Sequence, residues 1–263
     1  TWDAWSDIMH IALNDEEQSH IVLVPVVVPW MVWARRARFR GYHPSGTLVG
    51  PLIILLGWLM SYMGYYQSIQ AAWHAGAILV LAGAVVTGVG ANALLRFFPA
   101  FAVLGFAVPV PGTLRHLVSG PLQTSAAQAT QVILETFGIP VERSTNLLSI
   151  NGHDVTVAEA CNGMRMVLAL ILVSYTFAFS IPLRPYVRTL ILIGSPLAAL
   201  LCNIIRLVPT VILYGYAPEA IAKGWHDISG WMMLPIAFLL LLGITAALRW
   251  ALFPITKFTL AYQ

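Results

Sequence analysis

Seven long runs of apolar residues dominate this sequence and leave little chain for anything else. They cover residues 20–34, 47–66, 71–95, 97–110, 162–181, 186–216 and 228–250. A helix needs about 20 residues to cross the hydrocarbon core of a bilayer, so most of the chain is taken up by crossings. The pattern predicts an all-α polytopic membrane protein with about seven transmembrane helices in this chain.

The composition agrees with an apolar environment. Hydrophobic residues make up 59% of the 263 residues and charged residues only 10%, against about 25% charged residues in an average soluble domain. These values argue strongly against a soluble monomer. The net charge of +3 would suggest nucleic acid as a partner of a soluble protein, but in a membrane protein basic residues usually mark cytoplasmic loops. We therefore expect no nucleic-acid partner.

The few charged residues indicate which face of the membrane each loop occupies. If the crossings alternate and the arginines of residues 35–40 are cytoplasmic, nine of the 14 basic residues lie in the cytoplasm. These nine are Arg35, Arg36, Arg38, Arg40, Arg96, Arg184, Arg188, Arg249 and Lys257. All 11 acidic residues then fall on the other side. This assignment puts residues 1–19, 111–161 and 217–227 outside and the C-terminus in the cytoplasm. The first residue is Thr and the opening segment has no signal-peptide features, so we expect that the chain lacks its true start.

The one long polar segment, at about residues 111–161, is predicted to form an extracytoplasmic insert. Apolar residues recur at three- and four-residue steps from 113 to 137, which indicates an amphipathic helix that Pro121 would break or kink. The step Asn151-Gly152 between two β-prone runs predicts a short β-hairpin. Because no repeat or linker divides the chain, we expect residues 1–263 to form a single domain.

Cys161 lies at the start of the fifth apolar run. A thiol in the first turn of a helix has a lowered pKa, since the backbone N–H groups and the helix dipole favour the thiolate, and Arg165 nearby would add to the effect. Such a cysteine suits a nucleophile. Taken alone, it fits a buried structural cysteine better than a nucleophile.

Two other polar residues fall at the same predicted depth. Arg206 shares a helix face with Asn203 in the sixth run, and a guanidinium inside a span is costly unless it faces the bundle interior or snorkels to the surface. His226 lies in a predicted loop, residues 223–230, where a histidine is often an interface or capping residue. Cysteine with histidine suits nucleophilic acyl transfer, and arginine can stabilise an oxyanion.

Taken in order, these motifs resemble those of the exosortase/archaeosortase family. The resemblance rests on AEACNGMR at 158–165, NIIR at 203–206, a histidine before the last helix, SHIVLVP at 19–25, and the proline-containing run at 97–111. It covers nearly the whole chain, and it implies one more apolar helix before residue 1. It implies an integral-membrane cysteine protease-transpeptidase with Cys161 as nucleophile, Arg206 as the conserved arginine and His226 as the histidine.

The resemblance also implies the partners and the location. Its members cleave C-terminal sorting signals of exported proteins, which consist of a short motif, a transmembrane helix and a basic tail, and transfer the product to a cell-surface acceptor. The resemblance does not specify whether the acceptor is a polysaccharide or a lipid. It also does not specify whether the cleaved product is hydrolysed or transferred. The implied active site faces outward from the plasma or inner membrane.

Further residues are candidates for supporting roles. Glu159 would orient His226 or Arg206 or end a solvated strand, and Asn203 would position Arg206. Arg165 would bind a substrate carboxylate or pair with an acidic residue. The remaining candidates are His20, at the mouth of the site or as an interfacial anchor, and Asn162 and Gly163, whose backbone N–H groups would help to hold the oxyanion.

Two other functions compete with a peptidase. A transporter or channel would also explain an intramembrane arginine and a proline-broken span, and an acyltransferase would also use a cysteine acyl intermediate. Neither a metal nor another cofactor is expected, because the histidines lack metal-ligand spacing.

Overall fold

The computed structural model describes residues 1–40, 48–157 and 163–250. The chain forms two compact units, Thr1–Gly112 and Thr113–Gln263. Helices of the first unit are α1 (Trp2–Asn14), α2 (Val24–Ala34), α3 (Val49–Tyr66), α4 (Gln70–Val89), α5 (Ala91–Arg96) and α6 (Phe98–Val103), with 3-10 helices at Glu16–Leu23, Arg36–Phe39 and Leu104–Ala107. The second unit contains α7 (Gly112–Thr136), β1 (Glu142–Ser144), β2 (Leu147–Ile150), β3 (His153–Thr156), α8 (Gly163–Ser180), α9 (Pro185–Tyr216) and α10 (Glu219–Trp250).

Within the described residues, three helices are long and apolar enough to cross a membrane, namely α3, α4 and α9. With 18 and 20 residues, α3 and α4 are about 27 and 30 Å long, which matches the hydrocarbon core. A fourth crossing is counted if the segment Phe98–Ala107 and α7 together form one span. The fourth apolar run of the sequence is thus a broken segment, because prolines at 109 and 111 interrupt helical hydrogen bonding. Seven crossings remain a prediction.

In the first unit, α3 and α4 form a closely packed antiparallel hairpin because glycines face each other across it. A Cβ on Gly76 would lie 2.5 Å from the carbonyl oxygen of Gly57 and 2.6 Å from Cα of Ser61. Small residues allow transmembrane helices to approach this closely. At the other side of α4, the buried His74 contacts Asp7 of α1, with Nε2 and Oδ2 2.9 Å apart.

In the second unit, a three-stranded antiparallel sheet of order β1-β2-β3 packs against α7 and α9. The turn between β2 and β3 has Asn151 at φ +51° and Gly152 at φ +78°, the left-handed values of a two-residue hairpin turn. Nδ2 of Asn151 donates to the carbonyl oxygen of Gly215 at 3.1 Å. This bond attaches the turn to the C-terminal end of α9.

Helices α8, α9 and α10 share a buried core that includes Met166, Cys202 and Met233. The predicted loop at 223–230 is wrong, since these residues belong to α10. Pro218 precedes the helix, and Lys223 donates to Glu219 at 2.6 Å one turn later. This hydrogen bond lowers the pKa of the exposed Glu219 carboxyl, and both features favour a helix start at this point.

Candidate active site

Arg206 and Asn203 lie on the buried face of α9. Their exposed fractions are 5% and 4%, so the charged side chain is inside the protein and does not snorkel. Oδ1 of Asn203 has no hydrogen-bond partner among the described residues. This helix face therefore offers a guanidinium and an amide oxygen in a desolvated environment, where electrostatic interactions are stronger than in water.

His226 lies in the second turn of α10, and its side chain is 32% exposed. Its Nδ1 lies 3.2 Å from Oδ1 of the adjacent Asp227. Gly230 follows four residues later and so lies on the same helix face. A Cβ on Gly230 would lie 3.6 Å from Nη1 of Arg206. The guanidinium thus lies against α10 one turn from His226.

A hydrogen-bond chain joins the two helices beside this contact. Nε1 of Trp225 donates to Oγ1 of Thr210 at 3.1 Å, and that hydroxyl donates to the carbonyl oxygen of Arg206 at 2.7 Å. Thr210 is fully buried. The chain links the residue before His226 to the backbone of Arg206, so it fixes the register of α10 against α9.

Helix α8 begins at Gly163, and the half-buried Arg165 lies in its first turn. Met166 packs in the same core as Cys202 of α9. The first turn of α8 is therefore close to the α9 turn that leads to Arg206. Cys161, Asn162 and Glu159 lie outside the described residues, so their predicted roles stay predictions.

His20 belongs to the first unit, where it is 2% exposed. Main-chain groups of Glu17 and Phe106 interact with its imidazole, whereas its Nδ1 has no hydrogen-bond partner among the described residues. These interactions place the 3-10 segment at Glu16–Leu23 against the segment at 104–107. They suit a structural role at this position, and the predicted place at the mouth of the site is untested.

Thr210, Trp225 and Gly230 were not singled out from the sequence. Thr210 follows Arg206 by four residues and Trp225 directly precedes His226, and this spacing is the sequence signal for both. Among the described residues, no group of three or more His, Cys, Asp or Glu side chains comes together to hold a metal ion.

A family model described as transmembrane exosortase matches residues 5–243 of the chain. The chain belongs to this family. Exosortases are membrane transpeptidases or proteases that act on the sorting signals of substrate proteins, so this exosortase is a membrane protein of that class. No curated protein and no solved structure matches the chain.

Proposed function

We propose that this exosortase is a cysteine peptidase-transpeptidase that cuts C-terminal sorting signals and passes the new carboxyl end to a cell-surface acceptor. The observation that carries the proposal is the buried guanidinium of Arg206, which lies against α10 one turn from His226. Cys161 precedes the described start of α8 by two residues. A nucleophile, a cation and a proton carrier are the groups that acyl transfer needs.

The first half of the reaction forms a thioester. The Cys161 thiolate attacks the scissile carbonyl carbon, and the guanidinium of Arg206 stabilises the negative charge that develops on the carbonyl oxygen. His226 donates a proton to the leaving amine as the C–N bond breaks. Asn203 Oδ1 accepts a hydrogen bond from a substrate N–H group, because a buried acceptor is costly without a donor.

The second half releases the product. An acceptor nucleophile or water attacks the thioester carbonyl, His226 takes its proton, and the C–S bond breaks to restore the thiolate. We place this site on the extracytoplasmic face of the plasma or inner membrane, with the C-terminus in the cytoplasm. The support for this orientation is the separation of basic and acidic residues along the chain.

The proposal is tested by co-expression with a reporter that ends in a short motif, a transmembrane helix and a basic tail from the same genome. The expected result is a shortened reporter that disappears in Cys161→Ala. Cys202→Ala is the matched control, because Cys202 is a free cysteine buried in a helix core and its loss leaves cleavage intact. Normal cleavage by both Cys161→Ala and Cys161→Ser would overturn the nucleophile assignment.

Hydroxylamine distinguishes a thioester enzyme from a noncovalent one. Added to membranes that contain the enzyme and the reporter, it should divert the product to a hydroxamate, which mass spectrometry detects at the new C-terminus. Cleavage without any hydroxamate would contradict an acyl-enzyme intermediate.

A further inference from the structure

An apolar cavity of about 210 Å³ lies in the first unit. Side chains of α2, α4, α5 and α6 line it, among them Val28, Val85, Phe97 and Phe101, and all its lining residues are apolar. Pockets for drug-sized ligands are usually about 300–1,000 Å³ and contain a few polar groups. A smaller cavity without polar groups suits a hydrocarbon chain.

Two arginines are next in sequence to phenylalanines that line this cavity. The rings of Phe39 and Phe97, both of which line it, have centroids 4.6 Å apart, and each follows an arginine in the sequence. Nη1 of Arg38 donates to the carbonyl oxygen of Arg96, and Nη1 of Arg96 donates to that of Arg38 at 3.0 Å. These reciprocal bonds hold the two exposed arginines together beside the ring pair of Phe39 and Phe97.

The sequence around these arginines is rich in positive charge. Residues 18–134 contain no Asp or Glu, whereas residues 35–40 add three more arginines near Arg38. The acidic residue Asp7 contacts His74 near the start of α4. Val89, which lines the cavity, is 15 residues further along the same helix, so about 22 Å of helix separates it from His74. The positive charge therefore attracts an anion to the arginine pair.

We propose that this cavity and the pair Arg38 and Arg96 bind an anionic phospholipid. One acyl chain occupies the cavity, and the phosphate accepts hydrogen bonds from the two guanidinium groups. A guanidinium carries five N–H donors, so it can serve a main-chain oxygen and a phosphate together. A free phosphate would leave the apolar cavity unused, and a basic peptide segment would be repelled. The proposal does not depend on the chemistry at Cys161.

The test measures lipid retention by the full-length protein after purification from vesicles of phosphatidylglycerol or phosphatidylcholine. The wild type should retain phosphatidylglycerol in preference to phosphatidylcholine, by native mass spectrometry. Arg38→Gln with Arg96→Gln should reduce that retention about tenfold or more, since each basic residue near an anionic surface contributes about 1 kcal/mol. Arg184→Gln with Arg188→Gln removes the same charge elsewhere and should leave retention unchanged.

A second variant tests the cavity independently of the charge. Ala100 is 4% exposed and lines the cavity, so Ala100→Leu fills part of it and should lower phosphatidylglycerol retention while both arginines remain. If thermal unfolding shows that Ala100→Leu does not fold, the arginine double variant alone tests the proposal. Equal retention of both lipids by the wild type, absence of bound lipid, or unchanged retention in the arginine double variant would overturn the proposal.

Discussion

Arg206 is a charged side chain that the protein keeps out of water. An arginine at the centre of a membrane helix costs about 2.5–3.5 kcal/mol on insertion scales. Its 5% exposure and its position against Gly230 show that α9 turns it toward α10. A charge in such a costly position is retained where it has a function. We propose that this function is to stabilise a developing oxyanion.

Arg206→Lys should reduce cleavage of a sorting-signal reporter by about 10²-fold or more, the effect typical of losing an oxyanion donor. Lysine keeps the positive charge but loses the planar fork of the guanidinium. The measurement is the initial rate of reporter cleavage in membranes with equal enzyme content. Arg188→Lys, on the same helix, is the control and should cleave normally. An active Arg206→Lys enzyme would show that charge alone suffices.

Trp225→Phe should lower kcat several-fold with little change in KM. The ring remains, but the N–H donor to Thr210 is lost, and one hydrogen bond contributes about 0.5–1.5 kcal/mol to the register of the two helices. Thr210→Val removes the other partner of this bond. The two changes together should cost little more than Thr210→Val alone, because partners in one interaction are not additive. Fully additive effects would mean that the bond does not link the helices functionally.

Sequence spacing predicts the positions of some of these residues but not of others. Asn203 and Arg206 lie on one helix, so their three-residue spacing suffices to put them on one face, and both are buried. The bond from Trp225 to Thr210 joins two helices. The rotation and register of one helix against another do not correspond to any fixed residue spacing in the sequence, so the sequence does not predict this bond. Helix propensity and the pair Glu219 and Lys223 extend α10 through His226, in place of the loop predicted at residues 223–230.

At the scale of elements, the sheet is attached to α9 through a close approach of side chain and backbone. A Cβ on Gly215 would lie 2.8 Å from Cγ2 of Ile150, and Asn151 bonds to the carbonyl oxygen of the same glycine. The sequence predicts the turn from Asn151-Gly152 but not the surface on which it lies. Because β3 leads toward Cys161 in the chain, this attachment limits where the nucleophile can be.

Gly215→Ala should therefore weaken both the sheet attachment and the enzyme. The stiff, β-branched Ile150 has to move, and overpacking of this kind costs about 1–3 kcal/mol. We expect faster hydrogen exchange in residues 147–156 and reduced reporter cleavage. Gly194→Ala is the matched control on the same helix, since a Cβ there meets nothing within 4 Å. Equal effects of the two variants would argue against a specific attachment.

At the scale of the whole molecule, the number of crossings decides which residues share a face of the membrane. Apolar runs locate α3, α4 and α9 well, because length and hydropathy are sequence properties. They do not show that the run at 97–110 breaks into α6 and a 3-10 turn, since the break depends on how prolines are accommodated. Two crossings between residues 40 and 142 put these positions on the same face, and three put them on opposite faces.

Cysteine labelling distinguishes two crossings from three. In a Cys161→Ala and Cys202→Ala background, Ser144→Cys and Ala37→Cys each place one thiol at an exposed position. We expect a membrane-impermeant maleimide to label Ser144→Cys in intact cells and Ala37→Cys only after permeabilisation, because the arginines beside Ala37 favour the cytoplasm. Labelling of both thiols only after permeabilisation would mean that the broken segment turns back without crossing, with both positions in the cytoplasm. The sheet and the strand leading toward Cys161 would then lie on the same side as Arg38, which contradicts an extracytoplasmic active site.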